Sequence, residues 1–145
     1  MLKRRLEDYL DAHARAPVLL VGEAPGYRGA RVSGIPFTSE RQLTGAGPAE
    51  STATVVRATL RELGCGPDVL CWNVVPTHPG TPTSNRRPTR TEVDSGVLFL
   101  VRLARGRRVV AVGRLAERVT GAPYVRHPSH GGARAFRENL RACLR

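Results

Sequence analysis

The spacing of apolar positions changes repeatedly along the chain, and each change predicts an element. Leu2, Leu6 and Leu10 recur every four residues in LKRRLEDYLDAHA, an amphipathic helix. Pro17 ends it. VLLVG (Val18 to Gly22) is then a short unbroken apolar run bounded by Pro and Gly, the pattern of a parallel strand buried on both faces. A long loop bearing Gly and Pro runs from Glu23 to about Pro48, and Glu50 to Leu63 predicts a helix closed by Gly64. Val69 to Val75 is a second strand, and Pro76 to Pro88 a loop rich in Pro, Thr, Ser and Asn. Thr91 to Ala104 predicts a helix capped by Thr89 or Thr91, with an acidic residue in its first turn. Arg108 to Gly113 is a third strand, Arg114 to Thr120 a short helix, APYVRH a fourth strand and Ala133 to Leu144 a closing helix. One helix followed by βαβαβαβα predicts an α/β fold, a three-layer α/β/α sandwich around a mostly parallel four-stranded sheet. At 145 residues the expected organisation is one domain, residues 1–145, since a compact unit takes about 100–200.

This pattern has a consequence for function. GEAPG follows the first strand, NVVPTHPG the second and RHPSHGG the fourth, so each unusual loop leaves a carboxyl end. Ligand sites of open α/β sheets lie along that edge.

Charge narrows the partner. Lys and Arg number 23 against 12 acidic residues, a net +11, and Lys3 is the one lysine. Such an excess attracts polyanions, and nucleic acid is the expected partner. No run approaches the roughly 18 apolar residues of a membrane span. The first residues lack the apolar core of a signal peptide, so a cytoplasmic protein is expected. Cys65, Cys71 and Cys143 match neither a disulfide framework nor a metal-binding spacing; no metal and no cofactor is expected.

The loops carry the candidate chemistry. Gly22 and Gly26 allow close backbone approach to a ligand, and Pro25 stiffens the turn between them. Glu23 stands where a carboxylate could orient water or face a developing cation, although residue type alone better fits an exposed loop carboxylate. Phe37, in a polar loop, offers a flat face for a base or simply tacks the loop down; base–aromatic stacking is worth about 1–3 kcal/mol. The segment lacks the order and the lysine of a P-loop. Asn73 is an amide inside an apolar strand, where it needs either a structural partner or a ligand. Its paired donor and acceptor match the N3–H and O4 of uracil, and cytosine presents the opposite polarity. Arg86, Arg87 and Arg90 suit phosphates, as ordinary exposed arginines also do. His127, at a strand end, could hydrogen-bond a carbonyl oxygen gaining charge, or be a structural histidine. Gly131 and Gly132 would expose N–H groups just before a helix, a phosphate site to which Ser129 and Arg134 could add contacts. His130 is ambiguous, and His13 and His78 have weaker claims.

Taken together, GEAPG with G-x-PF, then WNVVPTHPGTPTSNRRPTRTE, then HPSHGG resemble three motifs of the uracil-DNA glycosylase superfamily, in their order and at strand ends. The resemblance spans about Val18 to the C-terminus and is nearest to bacterial proteins akin to the iron–sulfur "family 4" enzymes. It implies a monomeric DNA-repair enzyme of the bacterial nucleoid that flips a damaged base and hydrolyses its N-glycosidic bond. By this resemblance Glu23 positions water or stabilises the cationic sugar, and His127 stabilises the departing base. Asn73 reads the base, Phe37 stacks on it, and Gly22, Ala24 and Gly26 line the base pocket. Pro25, Arg86, Arg87, Ser129, His130, Gly131 and Arg134 are the implied DNA contacts. Three departures stand out. The four cluster cysteines are lacking, Ala24 stands where active members place Asp, and Gly26 where they place Tyr. The alternatives are a non-catalytic nucleic-acid-binding module on the same fold and, less favoured by the charge, a nucleotide or nucleoside enzyme.

Overall fold

The apolar run Val18–Gly22 forms β1, buried along its whole length at the middle of the sheet. In the computed structural model, which describes all 145 residues, β2 (Val69–Asn73) and β3 (Arg108–Val112) flank β1, and β4 (Tyr124–Val125) lies outside β3. The order is β2-β1-β3-β4 and every pair is parallel, so the mixed strand that "mostly parallel" allowed for is absent. The chain leaves β1 for β2 in one direction and then crosses to β3 on the other side. With right-handed crossovers, that reversal puts the connecting helices on opposite faces and opens a crevice above β1.

The helices are α1 (Leu2–Ala12), α2 (Ala30–Ser33), α3 (Glu40–Thr44), α4 (Ser51–Glu62), α5 (Arg90–Ala104), α6 (Arg114–Thr120) and α7 (Ala133–Leu144). No helix is long and apolar enough to cross a membrane. The core joins the sheet to Val56 and Leu60 of α4, Leu100 of α5, and Phe136 and Leu140 of α7. Tyr9 of α1 is buried against the sheet, and its hydroxyl oxygen accepts the Cys71 N–H at 2.8 Å, occupying a donor of edge strand β2.

Three expectations are corrected. The segment from Glu23 to Pro48 is not one irregular loop, because it contains α2 and α3. Each lasts about one turn and stops at a left-handed glycine, Gly34 or Gly45, so neither is long enough to show a helical period. The fourth strand is shorter than APYVRH, since only Tyr124 and Val125 pair, with Ala111 and Val112. The next N–H, of Arg126, is diverted to Asn139 Oδ1 of α7 at 3.1 Å, which ends the ladder. The second strand likewise stops at Asn73, short of the expected Val75, and beyond it Val74 N–H bonds Gly22 O and Val75 N–H bonds Glu23 O.

A crevice at the carboxyl ends of the strands

The register Gly22↔Asn73 sets the floor of the site, placing the last residues of β1 and β2 side by side. Above them opens a crevice of about 430 Å³, a volume in the range of small-ligand pockets. Glu23, Ala24, Pro25, Gly26, Phe37, Asn73, Arg86, His127, Ser129 and His130 all line it, although they come from the end of β2 and three separate loops.

Phe37 and Asn73 meet over Gly22. A Cβ at residue 22 would overlap the Phe37 ring and lie 2.8 Å from Asn73 Oδ1, so only glycine lets both side chains settle there. Asn73 is 4% exposed, and its amide opens onto the crevice. Phe37 has φ 51, a left-handed conformation that is uncommon outside glycine and costs about 1–3 kcal/mol. Arg57 of α4 holds it there. Its Nε donates to Phe37 O at 3.1 Å and to Thr38 Oγ1 at 3.0 Å, while Nη2 donates to Pro36 O at 3.0 Å. Sequence reading missed Arg57, because helical spacing does not reveal a side chain that reaches a loop twenty residues back.

The imidazole of His127 is fixed by its own loop. Ser129 N–H lies 3.1 Å from Nδ1, and a backbone N–H can only donate, so Nδ1 is the acceptor. The Ser129 hydroxyl meets the same nitrogen at 2.7 Å. The neutral ring therefore carries its proton on Nε2. Burial, with smaller contributions from Arg126 and His130, holds the imidazole below its ordinary value and favours that neutral form. Arg126 folds back to donate from Nη1 to His127 O at 2.6 Å and from Nη2 to His130 O at 3.3 Å, clamping the turn in which His130 has φ 51.

The loops after β1 and β2 are tied together. His78 Nδ1 lies 2.7 Å from Pro25 O, and its Nε2 lies 2.7 Å from Thr81 O. Asn85 Oδ1 accepts Tyr27 N–H at 3.0 Å. Residue type singles out neither His78 nor Asn85, and both act through contacts more than fifty residues apart.

Other expected site residues stand differently. Glu23 is exposed at the rim, and Ala24 brings no titratable group. Arg86 lines the crevice while paired with Glu92, and its guanidinium holds that carboxyl below the usual range. Glu92 also forms the capping box of α5 with Thr89. Arg87 and Gly131 are exposed and outside the lining. Arg134 points away to pair with Glu138 at 3.0 Å, since its place on the first turn of α7 faces solvent. The Gly132 N–H is already spent on Ser129 O at 3.0 Å, so the two glycines do not form the open pair of donors that the sequence suggested. Ser129 is engaged with His127 through both its hydroxyl and its N–H.

The donor set does not fit an iron–sulfur cluster. There are three free thiols, and they stand on separate elements, with Cys65 after α4, Cys71 buried in β2 and Cys143 in α7. No group of three or more His, Cys, Asp or Glu residues is arranged to hold a metal ion.

In chemical terms, the crevice offers an aromatic face, an amide in a buried strand, a neutral imidazole with an N–H to give, and a carboxylate at the rim. Sequence comparison finds no matching curated protein. The model of the family described as the uracil DNA glycosylase superfamily matches residues 8–142, nearly the whole chain. With its parallel α/β sheet and this crevice at the strand ends, the chain belongs to the uracil DNA glycosylase superfamily.

Proposed function

We propose that the protein is a DNA glycosylase that hydrolyses the N-glycosidic bond of a flipped, deaminated base, uracil being the simplest fit, in base-excision repair in the bacterial cytoplasm. One observation carries this reading: Phe37, Asn73 and a neutral His127 open onto the same crevice. The base stacks on Phe37, and Asn73 pairs with an adjacent N–H and carbonyl. Such a pairing discriminates strongly, because the wrong base leaves the site's own polar groups unpaired. Water attacks C1′ as the C1′–N bond breaks, and the bonding electrons leave with the base. His127 Nε2–H donates to the oxygen on which that charge gathers, in the manner of an oxyanion donor. Glu23 faces the cationic sugar and the attacking water, whose proton passes to solvent or to the released base. The net charge of +11 draws in the phosphate backbone, with Arg86 at the rim.

Ala24 puts no carboxylate next to Glu23 in the turn after β1, and positioned acid–base groups are worth about 10²–10⁴-fold. A slow enzyme is the expectation. The same observation favours the second reading, a module that binds damaged DNA without cleaving it. Labelled single- and double-stranded oligonucleotides carrying uracil, hypoxanthine or xanthine, followed by alkaline cleavage of abasic sites, separate the two. Base release that is lost in Glu23→Ala and Asn73→Ala while DNA binding persists supports the enzyme. Salt-sensitive binding with no release from any lesion leaves the binding module.

A further inference from the structure

The crevice contains a second carboxyl, that of Glu50, the residue before α4. Its N–H donates to Ser39 Oγ at 2.9 Å, and its carbonyl accepts Thr54 N–H at 3.0 Å, so the backbone is anchored on both sides. The carboxyl lies over Gly26 and Gly29. A Cβ on Gly26 would come to 2.5 Å from Oε2, and one on Gly29 would overlap it. Both positions therefore lack a side chain where this carboxyl rests. It joins none of the protein's five ion pairs. Burial alone pushes it above the ordinary carboxyl range, with no cation opposing that shift. A half-buried carboxyl without a partner works against stability, and a titratable group perturbed by burial in a cleft marks a candidate functional site.

We infer that Glu50 is a specificity-determining residue, whose carboxyl accepts a hydrogen bond from a second N–H or O–H donor on the extruded base. This rests on the glycosylase reading. Asn73 already offers one donor and one acceptor, which satisfy the single N–H and neighbouring carbonyl of uracil. A further acceptor lining the same crevice suits a base with one donor more. 5-Hydroxymethyluracil, with its hydroxyl, is of that class, as is xanthine in its neutral form, with N–H at both N1 and N3; uracil and hypoxanthine are not.

The test measures kcat/KM for base release from otherwise identical single-stranded oligonucleotides carrying uracil, hypoxanthine, xanthine or 5-hydroxymethyluracil. Wild type, Glu50→Ala and Glu50→Gln are compared, with the melting temperature of each. Chemical lability differs among these lesions, so the quantity read is the change in selectivity from wild type to variant. On going to Glu50→Ala, the rate on xanthine or 5-hydroxymethyluracil relative to uracil should fall roughly tenfold or more, the effect of one hydrogen bond to a charged group. Glu50→Gln, which keeps an acceptor oxygen, should restore part of it. The melting temperature should stay level or rise, because the carboxyl holds nothing within the protein. Unchanged selectivity in an active protein overturns the inference and leaves the glycosylase reading intact. Equal loss on all four substrates together with a lower melting temperature also overturns it, in favour of a structural role. A wild type that releases no base from any oligonucleotide overturns both.

Discussion

Replacing Arg57 by Met tests how Phe37, the proposed base-stacking face, is held. The guanidinium spans three acceptors, Pro36 O, Phe37 O and Thr38 Oγ1, at 3.0–3.1 Å. It also stands 5.7 Å above the Tyr9 ring. Met keeps most of the aliphatic stem and removes every donor. Hydrogen bonds to charged groups contribute roughly 1.5–3 kcal/mol each. Arg57 is only partly buried, and water reaches some of the freed carbonyls, so a total loss of about 2–3 kcal/mol of stability is expected. The functional effect is separate. Without the clamp Phe37 is free to leave its left-handed conformation, and the stacking worth ~1–3 kcal/mol goes with it. That corresponds to roughly 5–150-fold weaker binding of a lesion-bearing oligonucleotide. Urea denaturation measures the first quantity, and fluorescence anisotropy with lesion and undamaged oligonucleotides the second. Phe37→Ala in the Arg57→Met background should add little to the binding loss, because the two residues act as one unit. If Arg57→Met binds the lesion as wild type does, or if the two losses simply add, the clamp does not set the stacking face and the argument is refuted.

Three further outcomes follow from the geometry. His127 is held below its ordinary value of about 6.5, so the unfolded chain binds the proton more readily. The stability it contributes is present above that value and is lost as pH falls through the depressed folded value. Denaturation curves between pH 8 and pH 5, at round values of pH, should therefore converge for wild type and His127→Gln at the acid end; a constant gap would sink the assignment. Gly22→Ala should abolish lesion binding, since its Cβ overlaps the Phe37 ring, and should lower stability by about 1–3 kcal/mol, as overpacking does. Wild-type affinity in that variant would mean that Phe37 and Asn73 need not meet over residue 22. His78→Ala cuts the link from Pro25 to Thr81 and should speed proteolysis within residues 79–88 while leaving the helical circular dichroism unchanged; equal cleavage rates would show that the loop is held by other contacts.

Local pattern alone reveals most of the secondary structure and the edge of the sheet on which the crevice opens. Periodic apolar residues report burial of a helix face or strand, and that is local information. Val18–Gly22 and the spacing of Leu2, Leu6 and Leu10 are legible for this reason. Residues of odd type in an apolar setting, such as Asn73, or at a strand end, such as His127, are legible too. The packing of the elements sets which of these residues face each other. The Gly22↔Asn73 register, the reach of Arg57 to Phe37 and the placing of the Glu50 carboxyl over Gly26 and Gly29 depend on how separate elements dock. No periodicity encodes such docking. It likewise decided that Ser129 and the Gly132 N–H turn inward to the histidine loop, and that Arg134 turns to Glu138. A hydrogen bond goes to the nearest unsatisfied partner in space, and residue type alone does not say which partner that is.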